Sequence, residues 1–181
     1  MNHHPSTTLQ IYWQIRDKLN LEPWLNLANE SKLFSDRDAA GRATIGLLQW
    51  ITYHIAKEDA DPTVMMGGPI NTMFELLLKE RTLYQAFCQE HFGYKVHRFP
   101  VCHDRSADIE ESDGIDFMLA ALANAYGDDL CEALIDWNIE RDHHQLVAVS
   151  VALVGEAVMA DNEVPDFREC WANSGARMSH V

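Results

Sequence analysis

Apolar residues return every three or four positions along most of this chain. Ile11, Ile15 and Leu19, with the neighbouring Tyr12, share one face of a segment from about Thr7 to Leu21, which is the period of an amphipathic helix. Pro23 then stands where a second short helix can begin, because a first helical turn tolerates proline. Ser35 and Asp36 offer a cap to a longer helix over Arg37 to Lys57, in which Leu47, Leu48, Ile51 and Ile55 lie together. Asp61-Pro62 and Gly67-Gly68-Pro69 mark the next stretch, Asp59 to Pro69, as turn and loop, with Pro69 suited to the first turn of another helix.

From Ile70 onward Met73, Phe74, Leu77, Tyr84, Phe87, Cys88 and His91 recur at helical spacing, and Gly93 sits where a left-handed cap ends the helix. This reads as one amphipathic rod and is the best-defined element of the chain. Tyr94 to Asp113 reads as a linker, with Pro100 and an acidic run at Asp108, Glu110, Glu111 and Asp113. Ile115, Met118, Leu119, Leu122 and Tyr126 predict a further helix ended by Gly127. Asp128 or Asp129 then caps a short one carrying Leu130, Leu134 and Trp137. The segment from about His143 to Ala160 has valines that suit a strand, but its length and alanines favour a last helix.

With no other alternating pattern and no repeat, the expected class is all-α: one domain of six or seven helices in an irregular orthogonal bundle. The expected organisation is a flexible start over residues 1–8, a single helical domain over 9–160 and a partly ordered tail over 161–181. The five tryptophans, Trp13, Trp24, Trp50, Trp137 and Trp171, fall mostly at core or core-edge positions.

Composition sharpens the class of function more than the fold. Hydrophobic residues make up 47% and charged residues 23%, which excludes a disordered or fibrous chain. The net charge is −14, and it is uneven: residues 1–90 carry 11 acidic and 8 basic side chains, residues 91–181 carry 17 and 6. Such a chain repels phosphate backbones and anionic membranes and attracts a basic protein, although the same acidity also serves simply as a solvated face. The most apolar stretch, Leu146 to Ala160, is interrupted by Ser150, Gly155 and Glu156 and falls short of the roughly 18 to 20 residues of a membrane span. The polar start of the chain lacks the basic-then-apolar pattern of a secretory signal, and four dispersed cysteines suit reduced thiols, so a cytoplasmic location is expected.

Several spaced residues carry a resemblance. Pro69-Ile70-Asn71-Thr72-Met73-Phe74-Glu75, then Tyr84-Gln85-Ala86-Phe87-Cys88, then Phe92-Gly93 and His97-Arg98-Phe99-Pro100 form a degenerate copy of a known signature. It resembles that of the glycine-rich domain-containing protein-like family: Pro, then Ile-Asp-x-x-Trp-His, a Tyr, a Cys, Phe-Gly and His-His-x-Pro. Tyr126-Gly127 and Trp137 are similar to a later part of that pattern, so the resemblance spans about residues 40–140. It implies a helical domain and little chemistry. Here the family's Asp falls on Asn71, its Trp-His on Phe74-Glu75 and its His-His on His97-Arg98, so any work done by those histidines is lost or altered.

Three groups of residues are candidates for chemistry or contact. Cys88, His91, His97, Cys102 and His103 lie close in sequence and include a Cys-x-x-His spacing that puts Cys88 and His91 one turn apart, a donor set suited to zinc. The plainer reading is a buried small hydrophobe with surface histidines. Glu75 and His97, with Tyr84, would form an acid–base pair if they converge. Met65 and Met66 in the glycine-rich loop, and Asp108, Glu110, Glu111 and Asp113, are candidate partner contacts. The aspartates lack the glycine and terminal glutamate of a calcium loop, and no phosphate-binding glycine pattern or nucleophile elbow is present. Adjacent His143 and His144 cannot chelate one ion from a helix.

Together these point to a non-catalytic, acidic, helical protein-binding module of the inhibitor, immunity or adaptor kind, without a cofactor and with a basic protein as partner. The alternative is an enzyme or ligand-binding domain that holds a metal or small molecule with Glu75, Tyr84, Cys88, His91 and His97.

Overall fold

Helices α1 (Thr7–Arg16) and α2 (Glu22–Ser31) form where the opening periodicity places them, and each buries a narrow stripe: Tyr12 and Ile15 on the first, Trp24 and Ala28 on the second. The computed structural model describes residues 7–57, 63–65, 68–100, 118–135 and 145–153. Pro23 occupies the first turn of α2, and Lys32 closes the helix in the left-handed region at φ 56°. The Arg37 guanidinium forks onto the Glu22 carboxylate at 2.7 Å and ties the start of α2 to the next helix. Both groups are exposed, so this pair adds at most about 1 kcal/mol.

Helix α3 (Arg37–Lys57) is the centre of the molecule. Asp36 caps it, accepting the Ala39 N–H at 2.7 Å, and that bond holds its carboxyl below the usual range. Eleven of its residues are buried, from Ala40 to His54, and it packs against α1, α2 and α4. A helix so enclosed needs internal partners for its polar side chains. Thr44 and Thr52 donate to the carbonyls one turn back, of Ala40 and Leu48.

The segment expected as one rod is two helices. Helix α4 (Gly68–Lys79) and helix α5 (Arg81–His91) meet at Glu80, whose ψ of 65° is not helical. The physical reason is visible in the core: Phe74 and Tyr84 have ring centroids 5.8 Å apart, whereas a straight helix would hold residues ten positions apart about 15 Å from each other. Breaking at Glu80 lets both halves bury their aromatic stripe. Gly93, at φ +71°, ends α5 as its sequence position predicts.

Helix α6 (118–126), a 3₁₀ turn (Gly127–Asp129) and helix α7 (Glu132–Ile135) complete the helical set. The all-α class is therefore what the structure shows for the body of the chain, with seven α-helices among the described residues. Aromatic contacts join the helices pairwise: Trp24 with Phe87, Trp50 with Phe74, and Tyr12 with Tyr126.

Beside this body lies a small antiparallel sheet that corrects two local expectations. Strand β1 (Thr63–Met65) and strand β2 (Tyr94–Pro100) flank strand β3 (Gln145–Leu153), in the order β1-β3-β2. The register pairs Val64 with Leu146 and Val96 with Val151. The stretch read as a last helix thus contains a strand, and the stretch read as a linker starts with one. Val147, Val149 and Val151 alternate with Ala148, Ser150 and Ala152. That two-residue period with stiff β-branched side chains outweighs the helical propensity of the alanines. Of the expected flexible start over residues 1–8, Thr7 and Thr8 instead open α1, while residues 1–6 and the tail over 161–181 lie outside the described residues, as do Trp137 and Trp171.

One residue fastens α6 and α7 to the central helix. The Gln49 side-chain amide, fully buried, donates to the Asp129 carbonyl at 2.7 Å and accepts the Cys131 N–H at 2.8 Å, while the backbone carbonyl of Gln49 accepts the Tyr126 hydroxyl at 2.6 Å. Replacing Gln49 by Leu leaves a backbone carbonyl and an N–H without their partner, so urea unfolding should show a loss of about 2–4 kcal/mol, larger than for Tyr126→Phe. Equal losses from the two changes would refute the fastening role.

The glycines of α3 give a second check. A Cβ at Gly46 would lie 2.8 Å from the Ile70 Cδ1 and 3.6 Å from the Leu134 Cγ, whereas one at Gly41 meets nothing within 4 Å. Gly46→Val is expected to lower the stability by about 1–3 kcal/mol through overpacking. Gly41→Ala is expected to raise it by up to about 1 kcal/mol through helix propensity. Thermal melts of the two variants read this contrast directly.

Candidate functional site

Two of the residues singled out for chemistry, Tyr84 and Cys88, meet where α5 packs on β2. Helical spacing puts Tyr84, Phe87 and Cys88 on the buried face of α5, and Gly93 reverses the chain so that β2 runs back along it. The Tyr84 hydroxyl, itself buried, donates to the Val96 carbonyl at 2.8 Å and is hydrogen-bonded with the Cys88 thiol. Lys95 places its Nζ 5.9 Å from the centroid of the Tyr84 ring, a cation–π contact. Tyr84, Cys88, Lys95 and Val96 therefore form one knot between a helix and an edge strand of the sheet.

The electrostatics of this knot suppress reactivity. Burial pushes the Cys88 thiol up to about 11, against smaller opposing effects of Tyr84, Val96 and Lys95. Burial likewise raises the Tyr84 phenol well above its ordinary value. A nucleophilic cysteine needs the opposite environment, in which a cation or helix N-terminus lowers the thiol. Both groups are neutral at physiological pH.

The other candidates are scattered around this knot or lie away from it. Glu75 is exposed on α4 and accepts a bond from Asn71 at 3.3 Å, one turn back. Phe74, its neighbour, is buried against Trp50 and Tyr84. His91 packs against Phe87 with ring centroids 5.3 Å apart, and its Nε2 lies 3.9 Å from a Glu90 carboxylate oxygen. His97 lies on β2 with its Nε2 buried. Met65 is the last residue of β1, paired in register with Gln145. Met66, Cys102, His103, Asp108, Glu110, Glu111 and Asp113 lie outside the described residues, as do His143 and His144. Among the described residues no three His, Cys, Asp or Glu side chains gather as metal ligands, and no helix is long and apolar enough to cross a membrane.

Sequence reasoning passed over one pair of buried polar groups. Trp50 and His54, one turn apart on α3, pack with ring centroids 4.4 Å apart, and among the described residues neither the Trp50 Nε1 nor the His54 Nε2 has a hydrogen-bond partner. Burial, with a smaller contribution from Lys57, lowers the His54 imidazole from 6.5 to about 3, so it is held neutral. The signal was weak: a histidine in the last turn of a helix reads as a favourable dipole partner facing water.

Comparison with protein-family models, with curated proteins and with solved structures finds no match to this chain.

These environments set up two measurements. Peptide-level mass spectrometry after brief alkylation at about pH 8, where roughly one Cys88 in a thousand is thiolate, should find Cys88 unlabelled until denaturant is added; fast labelling in the folded state would contradict the buried, neutral thiol. For His54 the folded imidazole titrates below the unfolded one, so the unfolded chain binds the extra proton between about 3 and 6.5. His54 thus withdraws stability as the pH falls through that window, by up to about 1.4 kcal/mol per unit. Urea unfolding from about pH 7 to about pH 5 should be flatter in His54→Leu than in the parent, and identical slopes would show that His54 titrates normally.

Proposed function

We propose that this chain is a non-catalytic protein-binding module of the inhibitor, immunity or adaptor kind, with a basic partner and a cytoplasmic site of action. The observation that carries the reading is the state of Tyr84 and Cys88. The two most reactive residues of the candidate cluster are buried and neutral, and the Tyr84 hydroxyl is spent on holding β2 to α5.

The resemblance to the glycine-rich domain-containing protein-like family fits the same picture. Phe74, at the family's Trp position, fills the core between Trp50 and Tyr84. Glu75, at its His position, is exposed. Tyr84 and Cys88, which keep the family's residue, take part in the α5–β2 knot, and Glu75, which changes chemistry, faces water. That is the pattern of a scaffold retained after its polar signature has decayed.

Binding by such a scaffold draws on two resources. One is the net charge of −14, concentrated in the second half of the chain. The other is apolar surface: Trp13, Leu33 and Tyr94 are 43%, 60% and 40% exposed. Tryptophan and tyrosine are favoured anchors in interfaces because they bury a large area with few rotatable bonds.

Proteins captured from cell extract on the immobilised chain should elute as salt rises from about 0.05 to about 0.5 M, because screening shortens the reach of the acidic field. A captured partner whose affinity is the same at both ends would sink the electrostatic half of the reading. Elemental analysis of tag-free protein tests the other half: about one equivalent of zinc, lost in His97→Ala, would replace the binding module by the metal-dependent enzyme.

A further inference from the structure

We draw no further inference here: the strongest candidate, the buried side-chain pair of Trp50 and His54 in the last turns of α3, has two nitrogens without a partner among the described residues, and nothing in the structure shows what ligand or charged group would reach them.

Discussion

The enclosure of α3 is the constraint on which the rest of the molecule depends. A helix with water on one side can let its polar residues face outward, but α3 is covered by α1, α2 and α4 and touched by α7, β2 and β3 as well. Every polar side chain it carries inward therefore has to be satisfied inside or remain at a cost. Thr44 and Thr52 turn back onto their own helix. Gln49 reaches across to the 3₁₀ turn and the start of α7. In doing so it converts a burial problem into a pair of bonds that hold residues 129 to 131 against α3. The placement of that stretch is thus a consequence of one amide placed on an otherwise apolar face.

A second fastening of the same kind operates where α5 meets β2. Antiparallel neighbours in a sheet satisfy one side of an edge strand, and β2 has β3 on that side. The Tyr84 hydroxyl adds a helix-borne donor to the Val96 carbonyl, so the sheet is tied to the helical body by a side chain and not by backbone pairing alone. The arrangement requires Tyr84 to be buried, and burial is what raises its phenol and the adjacent thiol. Structural anchoring and nucleophilic reactivity make opposite demands on the same residues, and here the anchoring demand is met.

Most of the helices were legible because their apolar spacing is local information. The Asp36 cap, Pro23, Gly93 and the limits of α3 each act within a few residues of where they stand, so sequence is enough to find them. The break at Glu80 was not legible, since it depends on Phe74 and Tyr84 meeting around a corner, a contact that helical periodicity counts as impossible. Strand β3 lost to a rule of length: its valine alternation was present, but its alanines weighed toward helix, and only pairing with β1 and β2 decides such an ambiguity. Of the candidate cluster, Tyr84 and Cys88 are hydrogen-bonded to each other and Tyr84 to the strand that follows, a stretch the sequence reading took for a linker. Their burial, which raises both groups, was not legible, because burial is a property of the packed body. Gln49 and His54 were missed for the same reason: among neighbours such as Leu47, Leu48 and Ile51, one polar residue looks like an interruption until its partners are known.

What the interior excludes, the surface has to carry. Among the described residues the buried polar side chains are Thr44, Gln49, Thr52 and His54, none of them charged when His54 is neutral. At physiological salt the field of the acidic residues fades over about 8 Å, so in the proposed binding role charge alone would steer a basic partner only at close range and would select poorly among basic ones. Discrimination at such a surface falls to apolar anchors with fixed positions. Trp13 has one: its ring packs 5.2 Å from that of Tyr12, which in turn packs on Tyr126, whose hydroxyl is held by Gln49. The main chain of α3 at Gln49, and not the amide that meets its burial demand, therefore steadies an exposed aromatic through Tyr126 and Tyr12. This links the stability of the core to the precision with which that ring is presented.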